Sequence, residues 1–220
     1  MDLHHRSEEE IMKIVIFGAS GRTGRHLISQ ALEQGHMVTA FARTPDKIQT
    51  RHERLRIVQG DIHDPAAVER GVDGQEAVLC ALGVNRGEEA GALAEGTQNI
   101  TRAMKKSGVR RIICVSAAGF LGEQADFLLG RMLFWYFKRY LQKLFDAMKQ
   151  QYQVLEASGL EWTAVRPFLL NEGPRKGNYR VATDGIPSKG YRITTGDTAE
   201  FMLKQLECPD YVRKAPAIAY

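Results

Sequence analysis

Three glycines, Gly18, Gly21 and Gly24, stand three residues apart directly behind the apolar run Lys13-Ile14-Val15-Ile16-Phe17. That order suits the cradling of a phosphate by backbone N–H groups where a strand turns into a helix. Gly18 lets the chain turn sharply, Gly21 removes a side chain where a pyrophosphate would approach, and Gly24 lets the helix lie close to the sheet. Ser20, Arg22 and Thr23 complete the turn. About 20 residues further on, an NAD site would place a carboxylate against the ribose 2′-OH. The sequence there reads Phe41-Ala42-Arg43-Thr44, with Lys47 following. A guanidinium in that place makes a paired, charge-assisted contact with a 2′-phosphate, so NADPH is the expected cofactor.

The elements that position these groups follow from periodicity. Leu27, Ile28, Ala31 and Leu32 repeat at helical spacing, and Gly35 stands where a left-handed cap belongs. Strands are expected at 13–17, 37–42, 55–58, 77–82, 111–115 and 162–165. Asp64-Pro65 opens a helix to about residue 71. Leu93, Thr97, Ile100 and Met104 form the inner face of another helix, and a longer one is expected over 137–157. This alternation specifies a single-domain, Rossmann-like α/β fold, a doubly wound parallel sheet with helices on both faces. Residues 1–10 read as a flexible tail and 11–220 as the domain.

In such a sheet, ligands lie beyond the carboxyl ends of the strands, near the point where strand order reverses. The candidates are Asp61 and Ile62 after the third strand, Leu82 and Gly83 after the fourth, Ser116 and Ala117 after the fifth, and Pro167 with Phe168 after the sixth. Asp61 suits either an adenine amino group or a turn of its own making. Ser116 suits a hydrogen bond to substrate or to the nicotinamide region, or else a helix cap or turn. The proton-donor pair usual in alcohol–ketone hydride transfer, a tyrosine four residues before a lysine, is missing. Tyr136 is followed by Tyr140, Tyr140 by Leu144 and Tyr152 by Glu156. Tyr152 is left as a second candidate donor beside Ser116, although it also continues the apolar stripe Phe137, Tyr140, Leu141, Leu144, Phe145, Met148 and Leu155.

The 220 residues are 44% apolar, enough for one sizeable core. Thirty basic against 26 acidic residues give a modest +4, spread along the chain without a basic arm, so nucleic acid is not an expected partner. Cys80, Cys114 and Cys208 form no CxxC pair, and the six histidines lie in unrelated contexts, so no metal site and a reducing cytoplasm are expected. No segment is apolar and long enough to span a bilayer. The aromatic stretch 127–137 suits a lid over a planar, conjugated acceptor such as a flavin or quinone, a homodimer contact, or a membrane-surface contact.

These motifs, with Gly60-Asp61, Glu95-Gly96-Thr97-Gln98-Asn99-Ile100, Ser158-Gly159-Leu160 and Arg166-Pro167, resemble the atypical short-chain dehydrogenases of the NmrA-like, NAD(P)H-binding kind. Within them the biliverdin reductase B/flavin reductase group is the most similar. The likeness continues through Gly177-Asn178-Tyr179-Arg180-Val181 and Asp197 to Leu203. It implies NADPH and direct hydride delivery to flavins or linear tetrapyrroles without a tyrosine–lysine pair. Ala117 stands where that group carries a serine, with Ser116 before it, and Tyr152 stands in place of a histidine. The expected function is therefore an NADPH-dependent reductase of a planar acceptor. A non-catalytic NADP(H)-sensing regulator and an epimerase with tightly held cofactor are the alternatives.

Overall fold

The computed structural model describes residues 11–84, 91–119, 142–187 and 190–220. The tail 1–10 and the aromatic stretch 127–137 lie outside them. Strand β1 (Lys13–Phe17) is buried from its second residue onward, because it lies centrally with helices on both sides. Ile14 and Ile16 enter one core cluster, Val15 and Phe17 the other. β2 (Met37–Ala42) and β3 (Leu55–Gln59) extend the sheet one way; β4 (Ala77–Cys80), β5 (Arg111–Val115) and β6 (Glu161–Pro167) extend it the other. With β10 at Ala217–Ala219 and β8 at Arg180–Ala182, the strand order is β3-β2-β1-β4-β5-β6-β10-β8, all parallel as far as β10. The order reverses between β1 and β4, as the doubly wound reading requires.

Helix α1 (Arg22–Glu33) covers one face, packed against α5 (Thr195–Lys204). On the other face lie α2 (Pro65–Val72), α3 (Ala92–Ser107) and α4 (Gln142–Ala157). α2 is capped by Asp64, whose side chain accepts from the Ala66 amide, and Gly35 and Gly108 take the left-handed conformation. No helix of the described residues is long and apolar enough to cross a membrane.

Several expectations need correction. The sheet is not wholly parallel, since β8 (Arg180–Ala182) pairs antiparallel with β10 at the edge. A separate parallel pair joins β7 (Leu169–Asn171) to β9 (Arg192–Thr194). β4 ends at Cys80 rather than Leu82, because the chain peels away to pass over the Gly18 turn after Ala81 N–H donates to Phe17 O at 2.9 Å. β6 runs longer at both ends than 162–165, its carboxyl end lengthened by pairing with β10. The buried face of α4 includes Ala147 and Gln151, while Leu144, Phe145 and Tyr152 are only half-buried. Fully buried, Gln151 donates from Nε2 to Thr97 Oγ1 at 3.3 Å, while its Oε1 is left without a partner.

The segment after β7 is held by one carboxylate. Asp197, fully buried, accepts from the amides of Lys176 (2.7 Å) and Gly177 (2.8 Å) and the hydroxyls of Tyr220 (2.5 Å) and Thr194 (3.0 Å). Burial pushes its pKa up, but the bonds from Gly177, Tyr220, Lys176 and Thr194 together outweigh burial and hold it below the ordinary 3.8. A depressed carboxyl stabilises the fold fully above its unfolded value and loses that contribution as pH falls through the folded one. Asp197→Asn is expected to cost about 1–2 kcal/mol at neutral pH. It should also flatten the acid limb of stability below pH 3.8, measured by denaturant unfolding from pH 7 downward.

Candidate functional site

Residues from four strand ends converge on a cleft of about 500 Å³ at the reversal between β1 and β4. Its floor is the turn from β1 into α1. Gly18 has φ +75°, and a Cβ there would lie 2.5 Å from Ala81 O. Gly24 packs so closely that a Cβ would strike Gly18 O, with Ala19 Cα at 2.8 Å. The demand for glycine at position 21 is softer: its φ is −73°, and an added Cβ would meet only Gly18 O, at 3.1 Å. Its amide closes the turn on Gly18 O at 2.9 Å. No side chain caps α1, and its first turn carries no acid, so the positive end of the helix dipole stays uncompensated beside the cleft.

Arg43 and Thr44 leave β2 at one end of the cleft. A single 3₁₀ turn over Pro45–Lys47 then brings Lys47 onto the same lining. Among the lining residues there are three ionisable side chains, Arg43, Lys47 and His63, and no carboxylate. The opposite end is formed by Ala81, Leu82, Gly83, Ala92 and Leu93, and is apolar. An anion-friendly end and an apolar end are thus joined by a glycine floor. That is a fit for a dinucleotide with a charged and a flat terminus.

The structure brings Gly18, Ser20, Gly21, Arg43, Lys47, Ile62, Leu82 and Gly83 together on the lining. Arg22 begins α1 with an exposed side chain, while Thr23 and Gly24 are buried behind the turn. Asp61 Oδ1 accepts from the His63 amide at 2.9 Å, so its side chain forms an Asx turn that presents Ile62 and His63 to the cleft. Ser116 and Ala117 lie one strand beyond β4, and Pro167 lies one further. Ser116 is 4% exposed, and its Oγ is buried without a hydrogen-bond partner. An unpaired buried hydroxyl costs stability, and Ser116 Oγ shares this condition with several other buried polar atoms of the described residues.

Tyr152 sits elsewhere. Its ring meets Trp162 edge-on at 5.4 Å, level with the start of β6, roughly 16 Å along the strand from Pro167. Burial, and then the neighbouring Glu156 carboxylate, push its hydroxyl up to about 12. His63 was not singled out from sequence, and Phe41, Gly60 and Leu93 were read only as strand, turn and helix residues, yet all four line the cleft. His63 Nδ1 stands 3.4 Å from Glu95 Oε2, joining the β3 exit to α3. Its position two residues past Asp61 was the signal available. Cys80 and Cys114 are fully buried partners across β4 and β5, and all three cysteines are free.

A reversed parallel sheet, a glycine-floored turn and a cationic strand end define a Rossmann-like dinucleotide-binding protein. The chain belongs to the NAD(P)H-binding family, which it matches over residues 18–209. It is 28% identical to the uncharacterized protein YwnB of Bacillus subtilis over 208 residues, covering 91% of this chain and 94% of that protein. It is 30% identical over 176 residues to an uncharacterized chloroplastic protein of Arabidopsis thaliana, covering 76% of this chain but only 62% of that relative's length. The fold is shared with a short-chain dehydrogenase/reductase from Veillonella parvula solved in complex with NADP. That likeness has a TM-score of 0.78 at 23% identity, covering 96% of this chain and 95% of that one.

Proposed function

We propose that this protein is an NADPH-dependent reductase that passes hydride to a planar conjugated acceptor, a flavin or quinone, as in the biliverdin reductase B/flavin reductase group. The observation that carries this reading is the continuity of the cleft from Arg43 and Lys47 to the apolar end at Leu82 and Gly83. In it, Gly18, Ser20, Gly21 and the open amides of α1 hold the pyrophosphate, with Thr23 and Gly24 supporting the turn behind them. Arg43 and Lys47 meet the 2′-phosphate, and Arg22 adds charge nearby. Asp61 and Ile62 border the adenine, while Leu82, Gly83, Ala117 and Pro167 border the nicotinamide end. The NADP bound by the Veillonella neighbour, with the same fold, supports NADP(H) as the cofactor.

The cofactor, when bound, supplies a hydride, two electrons and one proton, to an electrophilic ring atom of the acceptor. The protein's share is positioning. Its glycines and cations orient one end of the cleft, and its apolar wall excludes water from the other. Ser116 Oγ holds a hydrogen bond to the acceptor or passes it a proton that solvent replaces. Tyr152, packed on Trp162 with a hydroxyl held protonated, takes no part in this scheme.

Steady-state oxidation of NADPH and NADH against FMN, riboflavin, quinones and biliverdin tests the proposal. Turnover that prefers NADPH is expected. Tight NADPH binding with no turnover on any acceptor would replace it with the NADP(H)-sensing regulator, and preference for NADH would overturn the cofactor assignment. Ser116→Ala is expected to lower kcat roughly three- to tenfold, the worth of one hydrogen bond, with NADPH affinity unchanged. Its melting temperature should hold or rise, because the substitution deletes an unpaired buried hydroxyl.

A further inference from the structure

The turn that leaves β3 is shaped from within and held from α3. Asp61 O accepts from the Asp64 amide at 3.1 Å and Asp61 Oδ1 from the His63 amide at 2.9 Å, so the chain folds back over residues 61–64. From α3, the buried Asn99 donates Nδ2 to Ile62 O at 3.0 Å. Gly96 makes room for the Ile62 side chain, since a Cβ there would lie 2.5 Å from Ile62 Cδ1. Glu95 Oε2 stands 3.4 Å from His63 Nδ1. The run Glu95-Gly96-Thr97-Gln98-Asn99, until now only a mark of family likeness, thus has a physical task. Three of its residues set Ile62 and His63 on the cleft lining, while Asp61, engaged in its own turn, is not part of that lining.

We infer that His63 is the residue that reads the adenine base of the cofactor, accepting a hydrogen bond from its 6-amino group through Nε2, with Glu95 as the positioning residue behind it. The inference rests on the cofactor half of the reading above, NADPH with its adenine end beside Ile62. A carboxylate only accepts, so Glu95 beside Nδ1 favours the tautomer with its proton on Nδ1, which makes Nε2 an acceptor. The other side chains at this end of the lining are less suited. Arg43 and Lys47 only donate, Phe41 and Ile62 have no polar side-chain atom, and the Thr44 hydroxyl leaves β2 with the two cations. Asp61 Oδ1, the acceptor that residue type alone would choose, is taken by the His63 amide. Adenine presents a donor at position 6 where hypoxanthine presents a carbonyl, and a site built around an acceptor there rejects the second base.

The test compares NADPH with its hypoxanthine analogue, in which a carbonyl replaces the 6-amino group. Kd for each is measured by fluorescence titration at pH 8, where histidine is ordinarily neutral, for the parent protein, His63→Ala and Glu95→Ala. Both residues are exposed, so neither substitution puts folding at stake. The parent should bind the adenine form about three- to tenfold more tightly, the worth of one hydrogen bond. In His63→Ala that ratio should fall to about one, through weaker binding of the adenine form, and in Glu95→Ala it should lie between the two. A change in cleft shape alone would weaken both forms alike and leave the ratio standing. Equal affinities in the parent overturn the inference. So does a ratio that survives His63→Ala, which would hand the acceptor role to Thr44 or to the backbone. A ratio lost in His63→Ala but unchanged in Glu95→Ala removes the positioning role of Glu95. Failure of the parent to bind either dinucleotide overturns the inference together with the cofactor reading, whereas discrimination lost in His63→Ala without turnover on any acceptor upholds it and removes the reductase alone.

Discussion

Arg43→Ala is expected to weaken NADPH binding by roughly 10- to 100-fold while leaving NADH binding within about twofold. Arg43 is the first residue after β2, exposed at the cleft, with Lys47 brought beside it by the turn over Pro45–Lys47. Charge-assisted hydrogen bonds to a phosphate are worth about 1.5–3 kcal/mol, which sets the range. NADH lacks the 2′-phosphate and so cannot report the loss. The effect should shrink with added salt, because both cations are solvent-exposed. Arg43→Ala combined with Lys47→Ala should fall short of the sum of the single effects, since each cation serves the same group. Titration of both cofactors by fluorescence decides the matter. Unchanged NADPH affinity removes the 2′-phosphate role, and equal losses for the two cofactors make Arg43 a residue of cleft shape instead.

Gly18→Ala should lower stability by about 2–5 kcal/mol. The left-handed φ of +75° costs a side chain about 1–2 kcal/mol. The new methyl would also lie 2.5 Å from Ala81 O and 2.6 Å from Ala81 C, and forcing that backbone apart adds about 1–3 kcal/mol. For a chain of this size the melting temperature should fall by roughly 4–20 °C. Gly74→Ala separates the two causes, because Gly74 has nearly the same φ, +72°, with nothing within 4 Å of an added Cβ. It should lose only the conformational part. The steric remainder displaces Ala81 and Leu82 from the cleft wall, so cofactor affinity should fall in Gly18→Ala and hold in Gly74→Ala. Equal melting temperatures for the two variants would show that close approach at Gly18 contributes nothing.

Much of the framework was legible in the chain itself. β1, β2 and β5 fall on the residues their apolar patterns mark, and the inner face of α3 at Leu93, Thr97, Ile100 and Met104 is buried as its spacing predicts. These signals are local: alternation, helical period, caps and turn glycines act within a few residues of one another. The glycine turn and Arg43 were readable for the same reason, since each follows directly from the strand before it.

What depends on distant residues was not readable. β4 stops at Cys80 because the Gly18 turn crosses its end, and β6 extends because β10 arrives from fifty residues away. The small β7–β9 sheet and the Asp197 clamp have short strands and a buried carboxylate, neither of which carries a periodic signature. Ser116 and Tyr152 looked alike in the sequence, two hydroxyls near the fifth strand. Only packing separates them, since one hydroxyl is left without a partner at the carboxyl edge and the other ring meets Trp162 edge-on at the far end of β6. The sequence by itself determined the fold class and the cationic, glycine-floored site, because those rest on local geometry and residue chemistry. Tertiary structure decided that the Ser116 hydroxyl is buried at the carboxyl edge while Tyr152 lies against Trp162 at the far end of β6, because burial and approach are set by elements that meet only when the sheet closes.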